Sequence, residues 1–160
     1  MIRLKYRKYL PLRGLLILSA LVWCLTLFAP PLLQNGSREE RRAAAWIILA
    51  FSPLCHQEPA RSFQVDGHPM AVCARCTGIY LGFLLGLITV MLFRIHRPPT
   101  GRMIAGCFVP SALFMALTAT RWVPDLSWLR ALAGAPLGAV TGILALTALD
   151  QWIQKNEVAS

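Results

Sequence analysis

Four stretches of the chain carry no charged residue over roughly the length of a membrane span: Gly14 to Leu33, Thr77 to Phe93, Met103 to Thr120 and Ala131 to Leu149. A helix rising about 1.5 Å per residue needs about 20 apolar residues to cross the hydrocarbon core. A fifth run, Ala43 to Leu54, is shorter, and Arg41 and Arg42 border it as charges border a crossing helix. The pattern predicts an all-α integral membrane helical bundle of four to five transmembrane segments, with the fifth run expected to cross. It forms a single membrane domain over 1–160. A basic amino terminus and anchor helix occupy 1–35, and a short helix occupies 36–54. A polar loop follows at 55–77, then membrane helices at 77–95, 103–121 and 128–150. The first run is long and ends in Ala29-Pro30-Pro31 without a small-x-small cleavage site, so it reads as a retained anchor rather than a signal peptide.

Glycines recur every four residues in two of these runs, at Gly78, Gly82 and Gly86 and again at Gly134, Gly138 and Gly142. Residues four apart share a helix face. In lipid, small residues on that face allow close helix approach, so the stripes predict glycine-zipper packing of the two helices against each other. One span separates them, so they must run parallel and start at the same membrane face. That face then collects Cys73, Arg75, Cys76 and Thr77 from one helix start, and Asp125 and Arg130 from the other. The loop holding Cys55, His56, Gln57 and Arg61 joins them.

Composition agrees with a membrane protein. Of 160 residues 56% are hydrophobic and 14% charged, against roughly 25% charged in ordinary globular chains. The net charge of +9 suggests nucleic acid at first. The basic residues, however, sit in the first thirteen positions and at the ends of the apolar runs, where they meet lipid headgroups. No nucleic-acid partner is expected; membrane lipid is. The basic start places the amino terminus in the cytoplasm. With five spans the cysteine loop shares that reducing side.

The loop reads CHQEPARSFQVDGHPMAVCARCTG over 55–78. Cys73 and Cys76 have the spacing by which two thiolates reach one tetrahedral ion. Cys55 supplies a third ligand and either His56 or His68 a fourth, His68 being sterically freer because His56 adjoins Cys55. Zinc is the expected metal. The same thiols support a second reading, a membrane thiol–disulfide oxidoreductase using Cys73 and Cys76, with helix-start electrostatics lowering a thiol pKa. The plain alternative is that the cysteines only fill space, as expected for Cys24 and Cys107. Arg61, Arg75 and Arg130 are candidates for binding an anionic or lipid-like ligand, a headgroup or a phosphate. Their plain alternative is snorkelling, or pairing with Glu58, Asp66 or Asp125. Gln57, Ser62, Thr77 and Tyr80 are supporting candidates. Asp150 and Trp152 read as interfacial residues closing the last helix, and His96 as solvent-exposed. A small transporter or channel subunit is a third reading, against which the lack of an intramembrane acid counts. No nucleotide loop, hydrolase triad order or internal repeat is evident, and no catalytic residue or reaction is assigned.

At Cys55-His56-Gln57, Arg61-Ser62-Phe63 and Cys73-Ala74-Arg75-Cys76-Thr77-Gly78-Ile79-Tyr80, the chain resembles a family of small prokaryotic membrane proteins, domain of unknown function 2085. The likeness extends to Arg130, Gly134 and Gly138 and covers about 50–145. It implies a multi-pass helical protein of the cell membrane with this polar site, and no particular reaction. The chain departs from the family in the next helix. Members often carry Asp-Gly after a proline there, whereas here Pro110 leads into Ser111-Ala112-Leu113.

Overall fold

The computed structural model describes residues 10–95, 97–120 and 126–158. The basic residues before Leu10, together with His96, Arg121 and Asp125, lie outside the described residues. Five α-helices follow in order: α1 (Leu10–Leu33), α2 (Arg38–Phe51), α3 (Ala74–Phe93), α4 (Gly101–Ala119) and α5 (Ser127–Val158). Between α2 and α3 come a 3-10 turn (Pro59–Arg61) and two short paired strands, β1 (Gln64–Val65) and β2 (His68–Pro69). The strands are antiparallel and joined at Asp66-Gly67, both with positive φ, the left-handed backbone a tight hairpin requires.

Among the described residues, four helices are long and apolar enough to cross a membrane: Pro11–Leu33, Ala74–Phe93, Gly101–Thr118 and Ser127–Lys155. Helix α2 is not among them, so the expected fifth crossing is not met. The reason is length and polarity. Its 14 residues span about 21 Å at 1.5 Å each, and they begin with Arg38-Glu39-Glu40-Arg41-Arg42. A capping box fixes that start, with Ser37 accepting from the Glu40 N–H while the Glu40 carboxylate accepts from Ser37. The apolar second half leans along α1. Phe51 meets Trp23 edge-on at 4.8 Å between ring centres. Trp23 lies ten residues before the end of α1, so α2 reaches about 15 Å below that end.

Helix α3 packs along α5 in parallel, as the glycine stripes predict. A Cβ at Gly78, Gly82 or Gly86 would overlap the backbone carbonyl of Ala131, Ala135 or Ala139 respectively. The partner number rises with the glycine number, which defines the direction. Gly134, Gly138 and Gly142 return the contact against the carbonyls of Arg75, Ile79 and Phe83. Backbone therefore meets backbone with no side chain between them. Gly82→Ala is expected to cost about 2–3 kcal/mol, because a helix carbonyl cannot swing aside as a side chain can. Gly106 has nothing within 4 Å of a Cβ, and Gly106→Ala should leave stability unchanged or raise it. Equal unfolding midpoints for the two variants in detergent would contradict this packing.

Helix α1 runs against this pair. Its Leu27 carbonyl accepts from the Ala71 N–H beside the start of α3, while Arg13, near its beginning, pairs with Asp150 far along α5. The cysteine loop is thus at the end of the bundle opposite the beginning of α1. An amino terminus in the cytoplasm then goes with cysteines on the outer side, not with the shared reducing face that five spans imply. Asp150 is also not the interfacial residue expected. It is 5% exposed and ion-paired.

Candidate metal centre

The centre is assembled where the loop meets the first turn of α3. Cys73 is the residue before the helix and caps it with extended backbone but no side-chain bond. Cys76 lies one turn on, so both thiols rise from the same helix start. Cys55 arrives from the chain leaving α2. Its sulfur accepts from the Cys73 N–H at 3.2 Å and from the Gln57 N–H at 3.5 Å. The three Sγ atoms lie within 4.8 Å of one another and could hold a metal ion. Sulfurs on a tetrahedron with 2.3 Å arms stand about 3.8 Å apart, so small movements close the site. All three cysteines are free thiols.

Three features favour charged sulfur here. Backbone N–H groups aimed at Cys55 are the outer-shell donors that thiolate ligands attract. The Cys76 thiol donates toward Cys73 and holds Cys73 below the usual thiol range, although burial works the other way. The start of α3 adds the positive end of a helix dipole.

Gln57 is the clamp of this loop. Its φ of 50° turns its N–H back onto Cys55. Its side-chain amide donates to the Ile48 carbonyl at 2.6 Å and to the Ala71 carbonyl at 2.8 Å. It thereby ties the end of α2 to the segment before Cys73. Around it, Leu27, Phe51, Met70, Ala71 and Val72 are buried and pack with Cys55, with Tyr80 against the cluster. Gln57→Ala removes two hydrogen bonds and is expected to cost about 1–3 kcal/mol, with metal affinity reduced about 10- to 100-fold but not abolished. Metal titration of the variant measures this.

The histidines do not join the cysteines. His56 is exposed, and the His68 ring meets the Asn35 side chain at 3.1 Å. Sequence adjacency defeats His56, because the chain turns at Gln57 to present its N–H to sulfur and sends the neighbouring ring outward. The hairpin defeats His68 by carrying it across to the end of α1. Two of the three arginines, Arg75 and Arg130, stay at the cysteine end. Arg61 is exposed on the 3-10 turn. Arg130 stands in the first turn of α5, beside Ala131, at the cysteine end. Arg75 turns to α4, its Nη1 3.3 Å from the Met115 sulfur. Ser62 and Thr77 spend their hydroxyls on the Glu58 and Cys73 carbonyls. Tyr80 packs edge-on with Trp23 and Phe51 under the cluster. Gln57 was among the supporting residues expected from the sequence; Met70-Ala71-Val72 and the Trp23–Phe51 pair are the supports that periodicity could not show.

Fold and site together define a multi-pass helical membrane protein with three thiols gathered at one end of its bundle. The chain belongs to the family of predicted membrane proteins DUF2085, whose model matches residues 55–144. It is similar to the uncharacterized protein MJ1492 of Methanocaldococcus jannaschii, 40% identical over 77 residues, covering 46% of this chain and 49% of that one. It is also similar to an uncharacterized protein of Methanothermobacter thermautotrophicus, 50% identical over 36 residues, 22% of this chain and 32% of that one. The chain thus matches about half, and about a third, of the length of these relatives. No solved structure matches it.

Proposed function

We propose that the protein is a membrane metalloprotein in which Cys55, Cys73 and Cys76 bind one zinc ion as thiolates, the fourth position being left to water or to an oxygen of a lipid-like molecule. The approach of the three sulfurs within 4.8 Å carries the reading. Three protein ligands and one open position is the pattern of zinc sites that act on a bound molecule rather than only holding a fold. A lipid-like molecule is favoured by an apolar groove of about 370 Å³ lined by Trp23, Cys24, Ile79, Tyr80 and Phe83, among others. Tyr80 borders this groove and also packs against the cysteines.

The basic amino terminus is assigned to the cytoplasm, which puts the cysteines on the outer side. In an oxidising setting three neighbouring free thiols would pair, and a bound ion keeps them reduced. Metal analysis of the detergent-purified protein tests the proposal, and one zinc per chain is expected. The absence of a stoichiometric ion, together with a reversible Cys73–Cys76 disulfide by mass spectrometry, would replace it with the thiol–disulfide reading. Solute flux in liposomes without bound metal would replace it with the transport reading.

A further inference from the structure

Helix α4 presents one fully buried residue among those whose side chains are described, and it is polar: Ser111, 3% exposed. Its hydroxyl has no hydrogen-bond partner. This is unusual within the chain. Thr77, Thr89, Thr118, Thr141 and Thr147 each return the hydroxyl to a carbonyl four residues back in their own helix. That bond is the ordinary refuge of a hydroxyl in lipid. Ser111 does not take it.

One turn along the same face of α4 stands Met115, whose sulfur meets Arg75. The Nε of Arg75 is buried and also lacks a partner. Among the described residues no ion pair involves Arg75. A guanidinium stays charged at any physiological pH; this one is half-buried, with an exposed contact to Met115 and a buried Nε that has no acceptor. Two polar groups with unused donors, one of them cationic, therefore lie where Arg75 crosses to α4, Ser111 standing one turn from the Met115 that Arg75 touches.

Both groups donate, and a guanidinium asks for an oxyanion. The surroundings agree in sign. The parallel helices α3 and α5 both begin at this end, and helix starts favour anions. The metal does not supply the attraction. Three thiolates on a divalent ion leave a net charge of −1, which repels an anion. Arg75 stands about a hundred degrees round α3 from Cys76, since successive helical residues differ by that angle.

We propose that this crossing of Arg75 to α4 is a separate site for a phosphate group, held by Arg75 and Ser111. Phosphate satisfies both donors at once and neutralises the arginine. It can come from an anionic lipid headgroup lodged beside α4 where Arg75 reaches it, or from free phosphate. The site does not depend on the identity of the metal.

Detergent-purified full-length protein is tested in two arms. Unfolding is followed with inorganic phosphate against chloride at equal ionic strength, and native mass spectrometry follows retention of phosphatidylglycerol against phosphatidylcholine. Phosphate-specific stabilisation points to the free anion; selective retention of phosphatidylglycerol points to the headgroup. In either arm, Arg75→Gln should weaken binding at least about tenfold and Ser111→Ala about three- to tenfold. Arg75→Lys, which loses the two-pronged contact, should fall between wild type and Arg75→Gln. Zinc content should be unchanged in Ser111→Ala, which separates this site from the metal centre. The proposal is overturned if neither probe binds selectively, or if Ser111→Ala and Arg75→Gln, both folded, bind as wild type does.

Discussion

If the three thiols hold zinc as proposed, Cys73→Ser is expected to abolish its binding while leaving α3 intact. Cys73 precedes that helix and forms no side-chain cap, and serine is among the best capping residues. The substitution therefore improves the helix start while removing a thiolate, and loss of metal cannot be ascribed to loss of helix. Affinity should fall more than about 100-fold, beyond the 10- to 100-fold effect typical of outer-shell changes. Cys55→Ser should do the same and also weaken the acceptor that the N–H groups of Gln57 and Cys73 share. Structural zinc contributes about 10–16 kcal/mol of apparent binding energy in small domains, so chelation of the wild-type protein should lower its unfolding midpoint and expose the loop before Cys73 to protease. Circular dichroism and metal content on the same samples read both effects. Full zinc content in Cys73→Ser would mean that the three-thiolate site is not the binding site.

The second large effect lies at the other end of the bundle. Asp150→Asn is expected to cost about 3–5 kcal/mol, because it takes the anion from a buried ion pair and leaves the guanidinium behind. The two side chains are 10% and 5% exposed, and the pair joins the first and last spanning helices. The second Asp150 oxygen is buried without a hydrogen bond, so the pair is not perfectly compensated and replacing both partners should be mild. Arg13→Met with Asp150→Leu is expected to cost less than Asp150→Asn alone. A double-mutant cycle on unfolding in mixed micelles measures the coupling. Strict additivity of the two single changes would remove the clasp.

Four spans and a parallel glycine-lined pair were legible because each leaves a local mark, an uncharged run or a four-residue repeat. Helix α2 was misjudged on its flanks. Arg41 and Arg42 resemble the edge of a span, but Ser37 and Glu40 start the helix earlier and use its first turns for charged residues. A fifth span would have put the cysteine loop at the end of the bundle where α1 starts, because each span reverses direction; the structure puts it at the opposite end. Asp150 was passed over because one acid near a helix end looks interfacial until its partner, 137 residues away, is seen.

The sequence by itself determined that the chain is a helical membrane protein and that α3 and α5 lie side by side pointing the same way. Periodicity and span parity are local quantities that chain order preserves. Only the tertiary structure decided which polar groups meet. It kept the three cysteines together, sent His56 and His68 elsewhere, turned Arg75 to α4 and paired Arg13 with Asp150. Those outcomes depend on where a loop reverses and on which face a side chain leaves its helix, and a shift of one residue moves that direction by about a hundred degrees.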